Sequence, residues 1–264
     1  IDHLPYDVAL KQGYLNAREV QPVYFTSGWE MHEAMLKGEI DLAIMPFTYA
    51  WSMVSQGCKV KVLSCLERET DGILVNRRIK QIQDLNNAKI GVLKASTLEV
   101  LVHDFALHNN LDIQKVYFHT PAEMSAALQA GQVDAIVSYV PTIQTMGSAY
   151  TVLHWFASDY PGHPCCDLVC TPSAMTARLA EVQKFWDALA KAVADINEHP
   201  QSVLPEVQSL FGLDANQAAA ALSHTVIRMG ISAQDREFER MMMLFFKEFG
   251  YQDRLPGNED IYFK

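Results

Sequence analysis

Residues 20–41, VQPVYFTSGWEMHEAMLKGEID, align without a gap on residues 113–134, IQKVYFHTPAEMSAALQAGQVD, and nine of the 22 positions are identical. The identities are Gln21/Gln114, Val23/Val116, Tyr24/Tyr117, Phe25/Phe118, Glu30/Glu123, Met31/Met124, Ala34/Ala127, Gly38/Gly131 and Asp41/Asp134, all at an offset of 93. Two copies are too few for a solenoid, so this repeat points to two similar lobes. Each copy reads as β-α-β. Val20–Phe25 and Ile113–Phe118 are β-rich runs. Ser27-x-x-Glu30 and Thr120-x-x-Glu123 are capping boxes that start helices. Pro121 suits a first helical position, where its missing N–H costs nothing. Met31, Ala34, Met35 and Met124, Ala127, Leu128 recur at helical spacing. Gly38 and Gly131 are placed to end those helices. Asp41–Met45 and Asp134–Val137 then read as buried parallel strands.

The flanks extend both lobes. The pattern predicts helices over Tyr6–Leu15, Thr48–Gln56 and Thr97–His108, and strands over Lys59–Leu66, Ile73–Val75, Lys89–Leu93 and Leu168–Cys170. From Pro172 onward it is almost purely helical, with segments Ser173–Leu179, Glu181–Glu198, Ser202–Phe211, Asp214–His224 and Ser232–Phe249. Val182, Phe185, Trp186, Leu189, Val193 and Ile196 form one apolar face. Met241–Met243 with Leu244, Phe245 and Phe246 read as tail-helix core.

Twenty-one Lys and Arg against 31 Asp and Glu give a formal charge of −10. A nucleic-acid partner is not expected, because the one tight basic cluster is Arg77-Arg78-Ile79-Lys80. A small anion is still compatible with that charge, since a few local donors bind one against the global sign. No stretch of 18 apolar residues is present, so no spanning helix is expected. The chain opens on Ile1-Asp2-His3-Leu4-Pro5, which we read as a processed or trimmed form whose removed segment was an export signal. The five cysteines form no disulfide framework. Cys58 and Cys65 end one predicted strand, roughly 23 Å apart, against the ~7 Å a disulfide tolerates.

Four motifs carry a family resemblance. They are Pro5-x-x-Val8-Ala9-x-x-x-Gly13-Tyr14; Ala34-x-x-x-Gly38-x-Ile40-Asp41; Gln81-x-x-x-Leu85-x-x-x-Lys89-Ile90-Gly91-Val92 with Ser96-Thr97; and Ala127-Leu128-x-x-Gly131-Gln132-Val133-Asp134-Ala135-x-x-x-Tyr139-x-Pro141. Over roughly residues 5–200 the chain resembles the solute-binding proteins of ABC importers for nitrate, sulfonate, taurine and thiamine-pyrimidine precursors. The resemblance implies an α/β, two-lobed type II periplasmic-binding-protein fold, each lobe a sheet flanked by helices. The crossings would lie near Gly72–Arg77 and Cys166–Thr171. That divides the chain into residues 1–76 of lobe one, 77–167 of lobe two, and 168–264 returning to lobe one as a helical tail. It further implies a cleft that closes by a hinge, a small-molecule solute, an ABC permease as partner, a monomer, and a periplasmic or extracellular location. Two other functions stay open: a biosynthetic enzyme on the same fold, of thiamine-pyrimidine or menaquinone-precursor type, and the sensing domain of a membrane receptor.

Open α/β sheets bind ligands at the loops after their strands. Those loops are His3–Tyr6, Thr26–Trp29, Pro46–Tyr49, Lys94–Thr97, His119–Thr120 and Ser138–Thr142. The ligand-binding candidates are accordingly His3, Tyr6, Ser27, Trp29, Phe47, Thr48, Lys94, Ser96, Thr97, Tyr139 and Thr142. Ser27 and Thr120 are either caps alone or caps that also touch ligand. Lys94-Ala95-Ser96-Thr97 offers a cation and two hydroxyls where a strand gives way to a helix, a set suited to an oxoanion. The competing reading is a solvated lysine and an N-cap serine. Trp29, Phe47, Tyr49 and Tyr139 supply flat walls for a planar ligand, or core. His163-Pro164-Cys165-Cys166-x-x-x-Cys170 adds His163 and Cys166. The fungal thiamine-pyrimidine synthases, which share the fold, also carry a cysteine-rich run there. On a continuing strand Cys166 and Cys170 stand ~13 Å apart, so no metal site is expected. No GxSxG, HExxH, P-loop or CxxC pattern occurs, and neither a catalytic residue nor a cofactor is expected. Glu67-Arg68-Glu69 reads as a solvated turn, with a cleft-edge charge cluster as the alternative, and His103 and His108 read as surface residues.

Overall fold

The computed structural model describes residues 1–263. Its strands are β1 (Leu42–Pro46), β2 (Lys61–Arg68), β3 (Asp71–Val75), β4 (Lys89–Leu93), β5 (Gln114–Phe118), β6 (Ala135–Tyr139), β7 (Thr151–Trp155), β8 (Pro164–Cys170) and β9 (Val226–Ile227). They form two sheets, in the orders β1-β8-β2-β9 and β5-β4-β6-β3-β7.

The offset of 93 governs more of the structure than the 22 aligned positions. Helix Gly28–Leu36 is matched by Pro121–Gln129, and β1 by β6, residue for residue. Helices Leu4–Lys11 and Thr97–His108 also begin 93 residues apart. Both repeat helices are capped as their sequences require. Ser27 accepts from the Glu30 N–H and Thr120 from the Glu123 N–H. Each helix then gives way to a glycine at positive φ, Gly38 at 72° and Gly131 at 68°, a conformation that a Cβ disfavours.

Each repeat sheet is completed by a strand from elsewhere in the chain. β6 pairs antiparallel with β3, and β1 pairs antiparallel with β8. The expected crossings are therefore displaced. β3 is a full member of the second sheet and β8 of the first, so the chain passes between sheets at Glu69–Thr70 and again just before Pro164. β7 and β9 were not expected; neither run carries a long alternating pattern.

Two strand expectations fail. Val20–Phe25 joins no ladder, and Val23 and Tyr24 are 54% and 66% exposed. Its counterpart β5 pairs only with β4. Pro22 removes a ladder donor where the second copy has Lys115. The second is the parallel pairing expected of β1, which makes only antiparallel pairs, whereas β6 also pairs in parallel with β4.

β4 is packed tightly at its centre. A Cβ on Gly91 would stand 3.0 Å from Phe118, and 3.1 Å from Ile136 and from Met124. Gly91→Ala is therefore expected to destabilise the fold by about 1–3 kcal/mol through overpacking, read as a lower midpoint in urea unfolding at unchanged slope.

The tail does more than cover the first lobe. Helix Leu179–Glu198 buries Val182, Phe185, Leu189, Val193 and Ile196 and packs on Leu4–Lys11, as its periodicity requires. Helix Ala233–Glu248 buries Phe238, Met242, Met243 and Phe246. It packs on helix Phe47–Ser55 and β8 of the first lobe and on Thr97–His108 of the second. His103, expected at the surface, is held edge-on between Phe245 and Phe249 of this tail. No helix among the described residues is long and apolar enough to cross a membrane.

Candidate functional site

The strand-end loops of the two lobes meet. Thr48, the second residue of the helix after β1, is fully buried and donates its hydroxyl to the Ala95 carbonyl at 3.2 Å. Ala95 sits at φ 56°, sparsely populated for a residue with a Cβ. Its N–H is held by Glu99 Oε2 at 2.8 Å. Buried Glu99 gathers several donors besides: Lys115 Nζ at 3.0 Å, Tyr117 OH at 2.7 Å, and Tyr251 OH at 3.2 Å. Tyr251 belongs to the tail, and burial with the Glu99 charge pushes its phenol up to about 12. One carboxylate thus fixes the Lys94–Thr97 loop, β5 and the tail together.

Within that loop, Ser96 occupies the N-cap position but donates its hydroxyl to the Leu93 carbonyl at 2.6 Å instead of capping the helix. Thr97 is 1% exposed and its hydroxyl has no partner in the protein. Lys94 is exposed, with Nζ 5.6 Å from the centre of the Tyr251 ring. Leaving a buried hydroxyl unpaired is unfavourable, and the Thr97 hydroxyl is one of the few so placed. Thr70 and Ser138 carry equally buried, unpartnered hydroxyls beside the first passage between the sheets.

A second group lies where both passages meet. His163 is 2% exposed; its Nε2 is 3.3 Å from Asp71 Oδ2 and its Nδ1 is 2.9 Å from the Tyr160 carbonyl. Cys165 Sγ is 3.6 Å from Asp71 Oδ1 and 3.8 Å from Cys166 Sγ. The bond to Cys165, reinforced by burial, holds the Cys166 thiol well above its usual range. That bond lowers Cys165, but burial and the Asp71 and Glu67 carboxylates outweigh it. Burial raises Glu67 to about 7. Tyr139 lies close enough to feel Cys166 and Glu67, and burial raises its phenol as well.

The other expected residues divide between aromatic wall and core. Trp29, 50% exposed, stacks on His32 at 5.0 Å and stands edge-on to Tyr49 at 6.3 Å. Burial lowers His32 and favours its neutral form. Gly28 permits this arrangement, since a Cβ there would fall 2.4 Å from the Tyr49 ring. Ser27 caps its helix. Thr142 opens a short helix and accepts the Thr145 hydroxyl at its carbonyl. His3 packs near Tyr24 and Phe211.

Two candidates lie in the core, and one further expectation is corrected. Tyr6 is 6% exposed and packs on Phe185 in the first-lobe core, because its helix turns that face to the tail. Phe47 is fully buried against Phe238. Glu67-Arg68 is no solvated turn: both residues end β2 inside the fold, and Arg68 is 0% exposed. Thr70, Asp71 and Glu99 were missed, and Glu67 was expected in solvent. Glu67, Thr70 and Asp71 stand in one polar run, Glu67-Arg68-Glu69-Thr70-Asp71, which reads locally as a turn, and long-range folding is what buries those three.

A family model described as NMT1/THI5 like matches residues 1–203. The chain belongs to the NMT1/THI5-like family. The match takes in both repeat copies and β1 through β8 and stops before the last tail helices. No functionally curated protein matches the chain by sequence. Solved structures give the fold. The periplasmic aliphatic sulphonate binding protein SsuA from Escherichia coli superposes with a TM-score of 0.83 at 21% identity, covering 100% of this chain and 90% of that one. The alkanesulfonate-binding protein SsuA from Xanthomonas axonopodis pv. citri, bound to MOPS, gives 0.85 at 19% identity over 98% and 94%. A ligand-binding component of an ABC-type import system from Staphylococcus aureus gives 0.83 at 16% identity over 100% and 93%. This member of the NMT1/THI5-like family therefore has the two-lobed periplasmic-binding-protein fold.

Proposed function

We propose that the chain is the solute-capturing component of an ABC importer, taking a small oxoanion of the sulfonate class between its lobes and delivering it to a permease. The observation that carries this reading is the Thr48–Ala95 contact, which brings one strand-end loop from each lobe together beside the unpartnered Thr97 hydroxyl and exposed Lys94. The start of the 12-residue helix Thr97–His108 has no side-chain cap, so its N–H groups and Lys94 form a local positive site on an acidic protein. The sulfonate ligands of the structural neighbours support the solute class. A solute touching both lobes favours the closed form by its differential affinity. We place the lobe limits at the two passages between sheets, near residues 69–70 and 163–164, and assign no catalytic step. An extracytoplasmic location and a monomer accord with this role.

Calorimetric titration with ethanesulfonate, taurine, nitrate, a small carboxylate and a hydroxymethylpyrimidine tests the proposal. We expect 1:1 binding of a sulfonate, weakened about ten- to a hundredfold by Lys94→Ala or Thr97→Val, the loss of one charge-assisted hydrogen bond. Binding of none of these solutes, or equal binding by both variants, overturns it.

A further inference from the structure

We propose that Glu67, Cys165 and Cys166 form a binding site for one thiophilic divalent cation of the Zn2+ class, with a fourth coordination position open to water or a solute. One ligand atom from each residue lies within 4.8 Å of the other two, and the residues are 3%, 6% and 6% exposed. The sulfur spacing fits this chemistry. Two thiolates about 2.3 Å from one ion at the tetrahedral angle stand about 3.8 Å apart, and Cys165 Sγ and Cys166 Sγ are 3.8 Å apart.

Adjacent residues on a regular strand point to opposite faces, so this convergence needs a backbone cause. The β2–β8 ladder supplies one. Glu67 pairs with Cys166 and Arg68 with Pro164, and the register shift between them leaves Cys165 without a partner. A bulge of this kind re-aims a side chain. The same irregularity sets Glu67 opposite the pair. The sequence argument against a metal compared Cys166 with Cys170, which the strand does keep apart; the converging set is Cys165, Cys166 and a carboxylate nearly a hundred residues earlier.

The surroundings complete the donor set. Asp71 faces Cys165, and His163, positioned by the Tyr160 carbonyl, faces Asp71. Such outer partners orient ligands. Three protein ligands are what open zinc sites use, whereas closed structural sites use four. Loading converts two thiols to thiolates, so the ion displaces two protons, plus the Glu67 proton where that group is protonated. Nothing is oxidised or reduced.

The test uses the full reduced chain, stripped with a chelator and titrated with Co2+, with optical spectra recorded throughout. The expected result is one Co2+ per chain, with an intense thiolate-to-cobalt band and the visible bands of a tetrahedral ion, all displaced by Zn2+. Cys165→Ser and Cys166→Ser remove the thiolate band, Asp71→Asn weakens binding about 10- to 100-fold, and Cys58→Ser and Cys170→Ser leave it intact. If a cysteine variant does not fold, Zn2+ protection of Cys165 and Cys166 from alkylation in the unsubstituted chain, read by mass spectrometry, replaces it. Absence of a thiolate band, a band that survives Cys166→Ser or disappears with Cys58→Ser, or equal alkylation with and without Zn2+ overturns the proposal. These readouts need no solute, so their failure is separate from failure of the capture function.

Discussion

Arg68→Ala is expected to lower the unfolding free energy by about 3–5 kcal/mol, the cost of removing one partner from a buried ion pair. Arg68 is 0% exposed, and its guanidinium grips Asp235 with two bonds of 2.6 and 3.0 Å. It also donates to the carbonyls of Gly162, at 2.9 Å, and Gly230, at 3.3 Å. One side chain therefore ties the end of β2 to the residue before His163 and to the start of the last long tail helix. Its charge also acts on buried Asp167 and Glu239, whose carboxyl oxygens are partly or wholly unpartnered. Removing Arg68 takes its positive charge away from these buried acids. Urea unfolding of Arg68→Ala, Asp235→Ala and the double variant measures the effect. The double variant should lose less than the sum of the two, because neither charge remains unpaired. A loss below about 1 kcal/mol for Arg68→Ala, in the range of an exposed pair, contradicts this picture.

The second large effect concerns pH. Glu239 Oε2 accepts from Trp51 Nε1 at 2.8 Å and from Tyr262 OH at 2.7 Å, while Oε1 has no partner. Burial raises this carboxyl from 4.5 to about 7, although the two hydrogen bonds pull the other way. A raised folded-state value means that the native protein holds a proton the unfolded chain has released. The resulting stabilisation is complete below about pH 4.5 and is lost as pH rises through about 7, a decline of about 3 kcal/mol. Glu239→Gln keeps an acceptor for Trp51 and Tyr262 and cannot ionise. The stability of this variant relative to the parent should therefore climb by about that amount between pH 5 and pH 8. A difference that stays constant over this interval rules out Glu239 as the titrating group. Asp235, held below the ordinary carboxylate range chiefly by Arg68 against the effect of burial, acts with the opposite sign at lower pH.

Much of the fold was legible because its signals are local. A capping serine or threonine, a glutamate three residues on and a glycine past the last turn act over a few bonds, and they delimited helices Gly28–Leu36 and Pro121–Gln129. The 93-residue offset also extends to helices Leu4–Lys11 and Thr97–His108, where the side chains no longer match. Helix geometry there depends on apolar spacing rather than identity. The strand at Val20–Phe25 misled because β-propensity is realised only beside a partner.

By itself the sequence determined a duplicated helix-strand unit with a helical tail, and it located the strand-end loops that meet at Thr48 and Ala95. Only the tertiary structure decided which strands complete each sheet, that Arg68 and Glu67 are buried rather than solvated, and that Cys165, Cys166, Asp71 and His163 converge. The physical reason is range. Helix caps and apolar periodicity are fixed by neighbours in the chain, whereas burial of a charge and the meeting of β2 with β8 depend on segments about a hundred residues apart. Their proximity is set by how the two sheets exchange strands, and no short stretch of sequence encodes it.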